Sequence, residues 1–186
     1  MKTFHAILCL FLMQSAMLRA EDDTPVPPEL QKQVETLVAA LKTGDDASLS
    51  SCWHGAEVLG RIKGAQAAAE ASTSPKPVDA AKEQDKEVKR QTRNLEVTLA
   101  RAAQMRTLVS RLFGDLNQLT LKRVEVSEDD EASPDLPRFD GVEIRLKAAD
   151  GTQLKIEVDA ALCVDGAWKF QGRLEDDLTI ELPDVD

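Results

Sequence analysis

Three runs of alternating apolar and polar residues between Val142 and Leu174 constrain the fold more than anything else in this chain. Val142, Ile144, Leu146 and Ala148 alternate with Glu143, Arg145 and Lys147. Leu154, Ile156, Val158, Ala160, Leu162 and Val164 follow, broken by Lys155, Glu157 and Asp159. Trp168, Phe170 and Leu174 alternate with Lys169, Gln171 and Arg173. A period of two marks strands with one face in a core and the other in water. The joints carry Asp150-Gly151 and Asp165-Gly166, residues that accept the positive φ of hairpin turns. Opposed residues of an antiparallel pair point the same way, and every inward residue here is even-numbered. Opposed positions must then sum to an even number, which predicts the three-residue loops Ala149-Asp150-Gly151 and Val164-Asp165-Gly166. The resulting register sets Leu146 opposite Leu154 and Ile144 opposite Ile156. In the second hairpin it sets Leu162 opposite Trp168, Ala160 opposite Phe170 and, outside, Glu157 opposite Arg173.

Upstream the period is helical. Leu30, Val34, Leu37, Val38 and Leu41 form one apolar face that starts after Pro27-Pro28 and ends at Gly44. Asp45 or Asp46 caps a short helix that stops by Gly55. Ala56 to Ala71 reads as a third helix weakened by Gly60 and Gly64. After the break Ser72 to Pro77, a long helix spans about 79–116. Its stretch Lys82 to Glu87 is almost wholly charged and is expected in solvent. Val88, Leu95, Ala102, Val109 and Leu116 lie seven apart, interrupted at Gln91 and Thr98. That seam packs on the chain's own sheet, with a dimeric coiled coil as the alternative. Leu119 to Val126 is a strand in which Leu121 and Val124 share a face only through a bulge. An acidic loop, Ser127 to Pro137, follows it. Leu178, Ile180 and Leu182 predict a last short strand. The fold expected is α+β, with N-terminal helices on a curved antiparallel sheet of three to five strands.

The ends bear on compartment. Lys2, the apolar run from Phe4 to Leu12 and the small Ala20 before Glu21-Asp22-Asp23 have the form of a secretory signal over residues 1–20. Its apolar run is too short to span a bilayer. The expected organisation is a signal peptide 1–20, a Pro-rich lead 21–27, one domain 28–182 and an acidic tail 183–186, in a periplasmic or secreted protein. Loss of Lys2 and Arg19 would leave 21 basic against 33 acidic residues, a charge of −12. Such a surface repels phosphate backbones and anionic lipid, which disfavours nucleic-acid and membrane-surface binding. Cys52 and Cys163 remain in the expected mature chain, either as one disulfide between the helical and sheet halves or as two separate thiols.

Leu41-Lys42-Thr43-Gly44-Asp45-Asp46-Ala47-Ser48-Leu49, with the joints Ala149-Asp150-Gly151 and Val164-Asp165-Gly166-Ala167-Trp168-Lys169-Phe170, resembles the NTF2-like superfamily of cystatin-like α+β cones. The likeness covers about residues 28–55 and 105–175 and points toward its secreted bacterial domains of unassigned activity. It implies a pocket between concave sheet and helices, and frequent homodimers. Members include isomerases, dehydratases and non-catalytic binding domains, so the fold assigns no chemistry.

The expected pocket residues are Trp53, Leu146, Ile156, Trp168 and Phe170. Every inward sheet position is apolar or Gly172, whereas catalysis of the isomerase or dehydratase kind needs a base inside. His54 is the weak candidate, with Asp45, Asp46 and Glu57 as helix carboxylates that read better as caps or solvated groups. No metal-ligand spacing or cofactor motif occurs. The favoured reading is a non-catalytic domain that binds an apolar small molecule or a partner protein. The alternative is a small pocket enzyme using His54 or a helix carboxylate.

Overall fold

The computed structural model describes residues 24–73, 78–129, 132–175 and 178–182. The expected signal peptide, the start of the Pro-rich lead and the acidic tail lie outside the described residues. Among the described residues, no helix is long and apolar enough to cross a membrane. Helix α1 (Pro28–Thr43) opens with proline in its first turn, and its predicted apolar face is buried throughout. Gly44, at φ +71°, closes it by donating its N–H to the Ala40 carbonyl. Asp45 caps α2 (Asp46–Ser51), its carboxylate accepting from the Ala47 and Ser48 amides at 3.0 and 3.1 Å.

Helices α3 (Ala56–Thr73) and α4 (Ala80–Phe113) form an antiparallel hairpin. Here the glycines have a role that propensity alone conceals. A Cβ on Gly60 would lie 2.5 Å from Val88 Cγ2, and one on Gly64 would lie 3.2 Å from Gln84 Cβ. Gly60 and Gly64 thus let the two backbones approach closely. The charged start of α4 is also not wholly solvated. Glu87 is buried, its carboxylate accepting from Arg90 at 2.7 Å and Gln91 at 2.8 Å. Gln91 and Thr98, expected to interrupt the heptad seam, are buried on the inward face with Ala102, Met105 and Val109. Ala102 and Val109 of the seam are buried within the chain, while Leu108 and Leu112 on the same helix are exposed.

The sheet is antiparallel, with β1 (Thr120–Glu128), β2 (Arg138–Lys147), β3 (Gln153–Val164) and β4 (Ala167–Leu174) in order. The short β5 (Thr179–Glu181) pairs with β3 beyond the end of β4. The fold is therefore α+β, with helices packed on an open antiparallel sheet of five strands. Leu146 faces Leu154 and Ile144 faces Ile156, as the first hairpin's parity requires. The bulge needed to align Leu121 with Val124 falls between Leu121 and Arg123.

The second hairpin departs from the parity argument. Val164 pairs with Ala167, so the loop is only Asp165-Gly166, with φ of +51° and +77° as a type I′ turn needs. Ala161, not Ala160, faces Phe170, and Cys163, not Leu162, faces Trp168. The cause is a bend across the sheet at Asp140-Gly141, Asp159-Ala160 and Gly172, where β3 reverses which parity faces the helices. Val142 and Val158 face the main core before the bend, Phe139 and Ala161 after it. Because Ala160, Ala161 and Leu162 are all buried, their sequence is silent about the reversal. The expected Glu157–Arg173 pair is also replaced. Arg173 lies beside Asp159, and the Glu175 amide bonds to the Glu157 carbonyl.

Candidate functional site

The expected pocket residues are for the most part core. Trp53 packs against Phe170 with ring centroids 5.3 Å apart, and its indole N–H donates to the Gly172 carbonyl at 3.2 Å. Leu146, Ile156 and Phe170 are buried with them, while Trp168 is half-buried and stacks on Phe139 at 5.1 Å. A void of about 10 Å³ lined by Val38, Met105, Val109, Leu146 and Ile156 lies between helices and sheet. That volume holds about one water and no organic ligand.

The turn after α2 carries Cys52, Trp53 and His54 along the outer side of β4. Phe170 donates its N–H to the Cys52 carbonyl at 2.9 Å, and His54 donates its own to the Phe170 carbonyl at 3.0 Å. These bonds satisfy an edge strand that would otherwise present open backbone groups. Farther along, Leu174 N–H donates to Thr98 Oγ1 at 3.0 Å and Arg101 donates to the Leu174 carbonyl at 2.6 Å. The His54 ring is buried, with Nε2 2.9 Å from the Leu162 carbonyl. That contact requires a proton on Nε2, since a carbonyl oxygen can only accept. Burial lowers the His54 pKa and Lys169 adds to the effect, against the opposing pull of the Leu162 carbonyl. The imidazole thus acts as a neutral strut between the α2–α3 turn and β3.

Neither sulfur is in a disulfide: Cys52 and Cys163 are both free thiols. Burial pushes the Cys52 thiol up to about 11, so it stays protonated and unreactive at neutral pH. Among the helix carboxylates, Asp45 caps α2 and Asp46 pairs with Arg106 at 3.3 Å. Glu57 is exposed.

The sheet bend holds a carboxyl pair that alternation alone does not single out. Asp159 folds over Gly172, where a Cβ would come within 2.3 Å of its Oδ2, and accepts the Arg173 N–H at 2.7 Å. Its neighbour is Glu175, whose pKa is raised to about 7 by a hydrogen bond with Asp159, then by burial and the Asp159 charge. Arg101 lies 3.8 Å from Glu175 and Arg173 3.9 Å from Asp159, which oppose the rise only in part. Asp140, Glu143 and Glu157 line the same hollow. The one sequence signal was Gly172 within a strand, a frequent mark of a bulge. Among the described residues, no group of three or more His, Cys, Asp or Glu side chains is arranged to hold a metal ion.

The larger concavities are outside the core. A cleft of about 700 Å³ runs between the α3–α4 hairpin and the ends of β2 to β4. Half-buried Ile62 and Leu136 give it apolar surface above the buried Leu59 and Leu162, and Lys63, Glu70, Lys86 and Arg138 stand among its charged walls. No family model matches this chain, and no curated protein matches it.

Proposed function

We propose that this chain is an exported, non-catalytic domain of the NTF2-like kind that works by holding a partner protein. The observation that carries the reading is a contrast of volumes. The void between helices and sheet measures about 10 Å³, whereas the external cleft beside α3 and α4 measures about 700 Å³. Of the two ligands the apolar residues allow, a small molecule would have to displace close-packed side chains, at a cost of several kcal/mol. A protein segment needs no such rearrangement, and apolar surface within a charged rim is the usual anatomy of a protein contact. Helices packed on an open antiparallel sheet are in keeping with the NTF2-like resemblance. The engagement of His54 with the Leu162 carbonyl weighs against its use as a base.

Native mass spectrometry together with site-specific photo-crosslinking tests the proposal. A crosslinker at Gln66, on the cleft wall, is expected to capture one discrete protein. The same group at Gln118, which does not line the cleft, is expected to capture none. A stoichiometric small molecule retained by the purified protein, with no Gln66 adduct, would refute the reading.

A further inference from the structure

The two long sides of the sheet are treated differently. Cys52, His54, Thr98 and Arg101 satisfy the outer side of β4, while among the described residues no strand pairs with β1 on the side away from β2. A groove of about 710 Å³ runs along Lys122 to Val126, bounded by Thr24 to Val26. The inward side of β1 is also incompletely covered. Leu121, Val124 and Val126 are half-buried, although their partners Leu146, Ile144 and Val142 are at most 4% exposed.

The outward charges on β1 have a definite pattern. Arg123 stands directly opposite Arg145 on β2, and Glu125 directly opposite Glu143. Like charges directly opposed destabilise a strand pair. Glu125 compensates, 3.0 Å from Arg123 on its own strand and 3.6 Å from Arg145 diagonally across on β2. The free side of β1 offers the opposite arrangement to a second β1 running antiparallel. With Val124 facing Val124 across a two-fold axis, Arg123 of each copy lies directly opposite Glu125 of the other, and the two pairs are equivalent by symmetry.

We propose that β1 pairs with β1 of a second copy of this chain, joining two sheets edge to edge about Val124. Irregularities at both ends of Arg123–Val126 limit the regular pairing to that segment. Such bulges ordinarily blunt an edge against indiscriminate pairing. Here they leave one short window in which only the charge-matched register fits. Main-chain bonds supply the attachment, as in other additions of a strand to a sheet edge, and half-buried Leu121, Val124 and Val126 gain cover. The inference is independent of the cleft and its partner.

Sedimentation equilibrium of the purified protein tests it. The expected mass is twice that of the chain. Arg123→Glu and Glu125→Arg should each sediment as folded monomers, because each places like charges across the axis. An equimolar mixture of the two variants should recover the doubled mass, since each then meets its complement. A role for these residues within one chain predicts no such recovery. A wild-type monomer at the highest attainable concentration overturns the proposal, as does a dimer that survives both substitutions or a mixture that stays monomeric. If either variant fails to fold, hydrogen exchange on the wild type decides. Protection of the Arg123–Val126 amides that rises with concentration supports the pairing, and protection independent of concentration overturns it.

Discussion

Replacing Glu175 by glutamine should change how stability depends on pH more than it changes the structure. Glu175 shares a hydrogen bond with Asp159, and its pKa is raised from 4.5 to about 7. The folded state therefore binds a proton that the unfolded chain releases between those two values. A raised carboxyl pKa makes stability increase as pH falls from about 7 to about 4.5, the reverse of a salt-bridged carboxylate. Undiminished, a shift of that size corresponds to about 3 kcal/mol. The Glu175 side chain is 33% exposed, and solvent screening reduces this to on the order of 1 kcal/mol. Glutamine mimics the protonated form at every pH. The variant should match wild type near pH 4, below the unfolded-state value, and exceed it by on the order of 1 kcal/mol near pH 8, a rise of about 2–4 °C in Tm for a domain of this size. His54, whose pKa burial lowers, acts with the opposite sign as pH falls through its ordinary value of 6.5. For that reason the measured quantity is the difference between wild type and variant, by thermal unfolding at both pH values. A difference that is constant with pH, or a variant less stable at pH 8, would refute the proton-sharing argument.

Three further outcomes follow from packing. Gly60→Ala gains roughly 1 kcal/mol of helix propensity. It also puts a Cβ 2.5 Å from Val88 Cγ2, and overpacking of about 1–3 kcal/mol should leave the variant less stable in chemical denaturation. Phe170→Ala should cost about 3–5 kcal/mol and Trp168→Ala less, because the first ring is fully buried and the second half-buried; equal losses would contradict the observed faces. His54→Ala should lose about 1–3 kcal/mol by leaving the buried Leu162 carbonyl without its donor, while crosslinking through Gln66 persists; calorimetry and the crosslinking assay check the two halves.

Much of the architecture was legible because period and punctuation agreed. Leu30 to Leu41 closed by Gly44, and Val142 to Leu146 joined through Gly151 to Leu154 to Val158, each admit one arrangement that buries their apolar residues. The second hairpin was not legible for a specific reason. Ala160, Ala161 and Leu162 are all apolar, so the sequence fits either face, and only the tertiary bend decides between them. Gly60 and Gly64 read as weak helix formers because propensity sees one helix, while their role appears only when α4 lies against α3. The candidate site was less legible still. The apolar sheet positions were identified well, but a pattern of apolar residues does not distinguish a lined pocket from a filled core. The Asp159–Glu175 pair arises from two strands displaced by a bulge, a juxtaposition that no spacing in the chain encodes.

The bridge between Trp53 and Phe170 also bears on the order in which the molecule can assemble. It ties the end of the second helix to the last long strand across more than a hundred residues, so its closure carries one of the largest loop entropies in the fold. The β2–β3 hairpin can form from neighbouring residues, but the outer side of β4 stays open until the N-terminal helices arrive. During that interval a row of unsatisfied backbone groups is available to any passing strand. Folding of this chain is thus a race between docking of the Cys52–His54 turn and intermolecular pairing, and substitutions that slow the docking should appear first as aggregation during refolding.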